Sequence, residues 1–224
     1  MSERWSTLRA FCAAWYREPL AEPEDLTAEL AAAEAELDAK LPSALREWFQ
    51  LAGPRVMSFQ DAFPELEALE LSGGCLRLLT EVEEQWFFGV ELGAAGADPP
   101  VLLNGEQQVF ERASAFLTFA VQWQTVLFVA IACTEGVDDD ESHATLGLLG
   151  VEVRGFELDA PERYPSQALQ LVGELPESGG TLRLLRDEAS ETLVLESLRN
   201  GELLGTMIAT RTSDAYQRAL AQVG

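Results

Sequence analysis

Apolar residues recur at helical spacing through the N-terminal part of the chain. Trp5, Leu8, Phe11, Cys12 and Trp15 fall three to four apart and predict an amphipathic helix over 4–17, ended by Pro19 and Pro23. A second helix follows, with Leu26, Leu30, Ala33 and Leu37 on one face and Glu29, Glu34, Glu36 and Asp38 on the other. Leu41-Pro42-Ser43 opens a third helix, since proline is accepted in a first helical turn. Leu45, Trp48 and Phe49 form its buried stripe, and Gly53 with Pro54 stops it.

Residues 54–75 are turn-rich, and strand signals follow. Leu76–Leu79 and Trp86–Leu92 are short apolar runs, and Gly93–Pro100 reads as a loop. Asn104-Gly105 between Val101–Leu103 and Glu106–Phe110 predicts a hairpin. The apolar run 113–133 predicts a central helix capped by Ser114. Residues 134–145 are polar and acidic and mark a boundary or an exposed loop. Beyond them the pattern is strand-like over Leu146–Glu152, Ala168–Leu175, Thr181–Arg186, Thr192–Leu198 and Leu203–Ala209, with turns at Gly179-Gly180 and Asn200-Gly201. A last helix over Ser213–Gln222 buries Ala215, Tyr216, Ala219 and Leu220. Helices and strands are grouped rather than strictly alternating, so the expected fold class is α+β with antiparallel sheet. The expected organisation is a core over 1–135 and a C-terminal antiparallel extension over 145–224, packed together as one globular unit.

Charge adds a constraint on partners. The chain of 224 residues carries 38 acidic and 15 basic residues, a formal net charge of −23. At 47% hydrophobic content it is a folded chain and not an acidic tail. Such a surface repels nucleic acid and anionic membrane, attracts basic partners, and favours solubility. No charged residue lies between Ala113 and Thr134, a length that spans a bilayer. Thr118, Gln122, Gln124 and Thr125 in its middle and the thin cationic flank favour a buried helix over a membrane span. Cys12, Cys75 and Cys133 are far apart and form no CxxC pair, which points to reduced thiols in a cytoplasmic protein. The N-terminus has no apolar signal-peptide core.

The search for chemistry is mostly exclusion. His143 is the single histidine, which rules out an HExxH zinc helix, and triad or general acid–base chemistry, which usually needs histidine, has only this residue, after the run Asp138–Ser142, to draw on. There is no GxSxG elbow and no GxxxxGK[ST] phosphate loop, and Gly93 to Gly96 lacks the rest of a dinucleotide fingerprint. Asp138, Asp139, Asp140 and Glu141 suit a hard cation in type. Consecutive carboxylates without EF-hand spacing, however, read better as a solvated loop. A hydrolase built on a carboxylate pair stays open in principle, with no pair singled out. Trp5, Trp15, Trp48, Trp86 and Trp123 fit core positions better than a ligand platform. The expectation is a non-enzymatic protein with no cofactor and no metal.

Three stretches together point to a family. The run from Leu37 through Leu41-Pro42-Ser43 and Trp48-Phe49 to Ala52-Gly53 resembles the Leu-Pro, amphipathic helix, glycine opening of the SUKH superfamily. Gln85-Trp86-Phe87-Phe88-Gly89-Val90-Glu91-Leu92, with Asp98-Pro99-Pro100-Val101 after it, is similar to the strand and Asp-Pro-Pro-Val turn of one bacterial branch. Ala113-Ser114-Ala115-Phe116-Leu117-Thr118-Phe119 resembles that branch's late helix. The resemblance spans about 25–133, and its order and spacing carry it. Ala52-Gly53 stands where the family has Asn-Gly, and 54–75 departs from its pattern. The resemblance implies an immunity protein that binds and neutralises a polymorphic toxin, many of which are nucleases. Fungal relatives regulate cell-wall synthesis, and the alternative is an intracellular scaffold without a toxin partner. On charge alone, the expected contact residues are Asp138, Asp139, Asp140 and Glu141 with Glu29, Glu34 and Glu36 of the second helix.

Overall fold

In the computed structural model the chain is an α+β protein with five α-helices and two antiparallel sheets among the described residues. These are residues 3–20, 22–51, 56, 63–93, 96–135, 149–150, 152–158, 169–177, 180–187 and 191–223. By contacts the chain forms two units, Met1–Arg9 with Leu20–Val121, and Ala10–Pro19 with Gln122–Gly224. The cut does not fall after residue 135, because α1 (Ser6–Trp15) and α4 (Ala113–Glu135) each belong partly to both units.

In the first unit, α2 (Thr27–Glu36) and α3 (Ser43–Leu51) precede a meander of β1 (Leu71–Ser72), β2 (Cys75–Thr80), β3 (Phe87–Glu91), β4 (Val101–Leu103) and β5 (Gln107–Phe110). α3 buries Ala44, Leu45, Trp48, Phe49 and Leu51, the stripe its spacing predicts. Trp48 packs its ring 5.8 Å from Trp5 and 5.4 Å from Phe63. The sheet meets the start of α4 through aromatic side chains. Phe88 lies 5.0 Å from Phe116, and Phe110 lies 5.5 Å from Phe116 and 5.3 Å from Phe119. The β4–β5 turn is the expected hairpin, with Asn104 and Gly105 both at positive φ (52° and 74°). Glu106 closes that turn instead of starting β5, its N–H bonding the Leu103 carbonyl at 3.1 Å. Asn104 also accepts from the Phe87 N–H at 2.9 Å and ties the turn to β3.

The start of α4 corrects one expectation. Ser114 is not the cap. It lies inside the first turn, and its N–H and Oγ–H both donate to Asp98, at 2.9 and 2.5 Å. The Ala113 N–H bonds the Pro99 carbonyl at 2.7 Å. Two of the free amides of α4 are thus satisfied by Asp98 and Pro99 of the 96–100 loop, where a carboxylate also suits the positive helix end. The same loop holds α3, since Ala97 O accepts from the Ala44 N–H at 2.8 Å and the Ser43 hydroxyl at 3.1 Å. Arg4 completes the knot, with Nε 3.4 Å from Asp98 and Nη1 3.1 Å from Glu47. Asp98→Ala is expected to cost about 1–2 kcal/mol through loss of this cap. A urea midpoint that does not move would show that the amides find water instead.

The second unit holds a five-stranded antiparallel sheet in the order β6-β10-β9-β8-β7. Its strands are β6 (Arg154–Leu158), β7 (Gln170–Glu177), β8 (Gly180–Asp187), β9 (Thr192–Arg199) and β10 (Glu202–Thr210). Asn200 and Gly201 at φ 53° and 82° make the tight β9–β10 turn. One face carries α5 (Ser213–Val223), where Leu185, Val194 and Ile208 form a cross-strand row packed with Ala219. Phe156 and Tyr216 meet edge-on at 5.6 Å. On the opposite face Leu182, Leu184, Leu193, Leu195 and Ala209 are buried. An expected strand over Leu146–Glu152 is replaced by β6. Residues 146–148 lie outside the described residues, Leu149 makes one bridge to Tyr16, and a Val153–Gly150 turn intervenes. The Gly179-Gly180 turn also lies partly outside them.

Within α4, Ala113–Ala132 is long and apolar enough to cross a membrane, and 78% of its apolar window is buried inside the protein. Thr118, Gln122, Gln124 and Thr125 are all buried with it. Cys12 and Cys75 are free and buried. Burial pushes the Cys12 thiol up to about 12, so it stays protonated and unreactive.

Candidate partner-binding surface

Of the two expected contact segments, the second helix lies within the described residues. α2 buries Leu30, Ala33 and Glu34. Glu29 and Glu36 are exposed, seven residues apart and so on one face. Glu34 is therefore not a contact residue. It lies four residues beyond Leu30, on the core face, with its side chain 2% exposed. Its carboxylate accepts from Lys40 Nζ at 2.7 Å, from the Leu41 N–H at 3.1 Å and from Arg46 Nη1. Burial raises its pKa, but these donors outweigh it and hold the group below the ordinary carboxylate range.

The segments flanking Glu29 and Glu36 are rich in exposed acids. Glu22, Glu24, Asp25 and Asp38 are exposed on the flanking segments, and no Lys or Arg occurs between Arg17 and Lys40. Lys40 is turned toward Glu34. The 3-10 turn Leu66–Ala68 packs beside α2 and adds exposed Glu65 and Glu67. Among the described residues, Glu29, Glu36, Glu65 and Glu67 form no ion pair. Asp25 accepts from the Thr27 N–H at 3.2 Å and its hydroxyl at 2.6 Å, which starts the helix and lowers the Asp25 pKa. Glu36 stands in the last turn of α2, where a negative charge opposes the helix dipole. Its place there adds nothing to the helix.

Asp138, Asp139, Asp140, Glu141 and His143 lie outside the described residues, so the structure does not join them to this surface. Among the described residues no group of three or more His, Cys, Asp or Glu side chains is arranged to hold a metal ion. Other charged clusters are structural. Glu191, at the β8–β9 connection, accepts from Arg211 and from the Thr212 hydroxyl at 2.8 Å, and Thr212 in turn accepts from the Ala215 N–H at 3.2 Å to cap α5. No protein-family model, curated protein or solved structure matches the chain.

Proposed function

We propose that this chain is a SUKH-type immunity protein, acting in the cytoplasm without catalysis, that binds a basic toxin domain and neutralises it. A nuclease is the favoured toxin class. The observation that carries the reading is the surface of Glu29, Glu36, Glu65 and Glu67, exposed and without an ion pair among the described residues, on a chain of net charge −23. A nuclease cleft is basic because it must bind phosphates. An acidic surface is steered to such a cleft by the summed field, and once docked it denies the cleft to nucleic acid. The resemblance over 25–133 supports the same reading from the sequence side.

The test is co-expression with the toxin encoded beside this chain's gene. Survival of the co-expressing cells is the expected result, and toxicity unchanged by co-expression would sink the proposal. Replacing Glu29, Glu36, Glu65 and Glu67 by Gln is expected to slow association about tenfold or more at low salt and much less at high salt. The same experiment on Asp138, Asp139 and Asp140, each replaced by Asn, reads whether that acidic segment shares in the steering.

A further inference from the structure

The chain has two asparagines, Asn104 and Asn200, and glycine follows each. The next residue is glutamate in both cases, so the two sites share the run Asn-Gly-Glu. An asparagine before glycine is prone to lose its side-chain amide, because glycine carries no Cβ to screen its backbone nitrogen from the neighbouring carboxamide carbon. Both pairs also sit in tight hairpin turns at positive φ, 52° and 74° for Asn104-Gly105 and 53° and 82° for Asn200-Gly201. Sequence and turn conformation therefore treat the sites alike, but their surroundings differ. Asn104 is bonded to β3 from both ends. Its Oδ1 accepts from the Phe87 N–H at 2.9 Å, and its own N–H donates to the Phe87 carbonyl at 2.9 Å. Gly105 rests on Cys75, whose Sγ would lie 3.3 Å from an added Cβ. The β9–β10 turn has none of these ties. Asn200 and Gly201 are both exposed, and an added Cβ at Gly201 would meet nothing within 4 Å. The Asn200 carboxamide makes no hydrogen bond among the described residues.

We propose that Asn200 is a site of spontaneous deamidation in the folded protein, and that the fold shields Asn104 from the same reaction. Solvent base removes the Gly201 N–H proton, and that nitrogen bonds to Asn200 Cγ. The bond from Cγ to the amide nitrogen then breaks, and ammonia leaves with a proton returned from solvent. The cyclic imide takes up one water and opens at either carbonyl. The products are aspartate and isoaspartate, the latter with its backbone routed through the side chain. Water is the only co-reactant, and nothing is oxidised or reduced. Ring closure requires the asparagine to leave its left-handed conformation, so that the glycine nitrogen faces Cγ. At Asn200 this opens only the turn tip, outside the Arg199–Glu202 pair. At Asn104 the same motion breaks both bonds to Phe87 and lifts Gly105 from Cys75. Even one hydrogen bond of ordinary net worth, added to the barrier, slows closure by about tenfold. Isoaspartate also adds a backbone atom to a turn that joins two central strands of the second sheet. Loop length fixes hairpin register, so the β9–β10 end loosens. The second unit therefore ages through Asn200 faster than the first does through Asn104.

The experiment incubates the full chain in warm, mildly alkaline buffer and maps its peptides over time by chromatography and mass spectrometry. With two asparagines in the chain, each conversion is assigned without ambiguity. The Asn200 peptide is expected to convert about tenfold or more faster than the Asn104 peptide, with isoaspartate in excess of aspartate. In concentrated urea the shared Asn-Gly-Glu run alone decides, and the two rates should come together. Aged wild type should also unfold at a lower temperature than fresh protein. Asn200→Gly keeps positive φ without strain, and it should remove both the fast conversion and the fall in midpoint. Equal rates in the folded chain, faster conversion at Asn104, or a difference that persists unchanged in urea would each overturn the proposal. A midpoint that holds after Asn200 has converted would overturn the loosening of β9–β10.

Discussion

Replacing Gly155 by Ala is expected to destabilise the second unit by about 3 kcal/mol, and replacement by Val by more. An added Cβ would lie 2.7 Å from the Ile208 carbonyl oxygen, 2.7 Å from Val129 Cγ1 and 2.9 Å from the Ala130 backbone nitrogen. Two of those three atoms are backbone, so no rotamer change relieves the clash. Gly155 is buried in β6, an edge strand paired to β10, and it lets that strand approach the backbone of α4. The opposing effect is small, since a Gly→Ala change stiffens the unfolded chain by only about 0.4–1 kcal/mol. The control is Gly205→Ala, where nothing lies within 4 Å of the added atom and φ is not positive. Thermal unfolding followed by near-UV circular dichroism should show a drop of about 6–12 °C for Gly155→Ala and little change for Gly205→Ala. Equal shifts in the two variants would mean that the close approach of β6 to α4 does not limit the fold.

That glycine also shows where the sequence stops being legible. Helices were readable because their apolar spacing is local, as in Leu45, Trp48 and Phe49. The Asn104-Gly105 and Asn200-Gly201 turns were readable because both residues of such a turn must take positive φ. β6 was missed. Its sequence, Arg154-Gly155-Phe156-Glu157-Leu158, has a charged residue, Glu157, on the face that Gly155 shares, and the glycine matters only through a helix well before it in the chain. Ser114 was a reasonable cap by type, but the acceptor is Asp98, sixteen positions back, and no local pattern marks that bond.

The candidate surface divides in the same way. Glu29 and Glu36 followed from the helical period and are exposed. Glu34 failed because residue type was allowed to outweigh position, although four residues from Leu30 already placed it on the core face. Its partner Arg46 lies on the next helix, which sequence spacing does not reach.

Glu34→Ala is expected to cost about 2–3 kcal/mol, because the carboxylate makes charge-assisted bonds in a buried place. The loss is unequal among its partners. Lys40 is 85% exposed and Arg46 37% exposed, so both cations can turn to water once the carboxylate is gone. The Leu41 N–H is the buried donor left stranded. Glu34→Gln, which keeps the shape and one acceptor, should cost about half as much. The sign of the pH effect follows from the lowered folded pKa. Glu34 is ionised more easily in the folded than in the unfolded chain. Its contribution is therefore complete above the unfolded carboxylate range near about 4.3, and it is lost as pH falls through the lower folded value. Glu191 and Asp25 are lowered too, so the variant stays acid-labile. The readout is the difference between the two profiles. Wild type and Glu34→Gln should differ in unfolding free energy at neutral pH and converge as pH falls through the lowered folded value of Glu34. Profiles that stay parallel through that range would place the acid lability elsewhere. The consequence reaches the surface, since α2 buries only Leu30 and Ala33 besides Glu34. A loosened α2 no longer holds Glu29 and Glu36 beside Glu65 and Glu67, so partner affinity should fall even though Glu34 itself meets no partner.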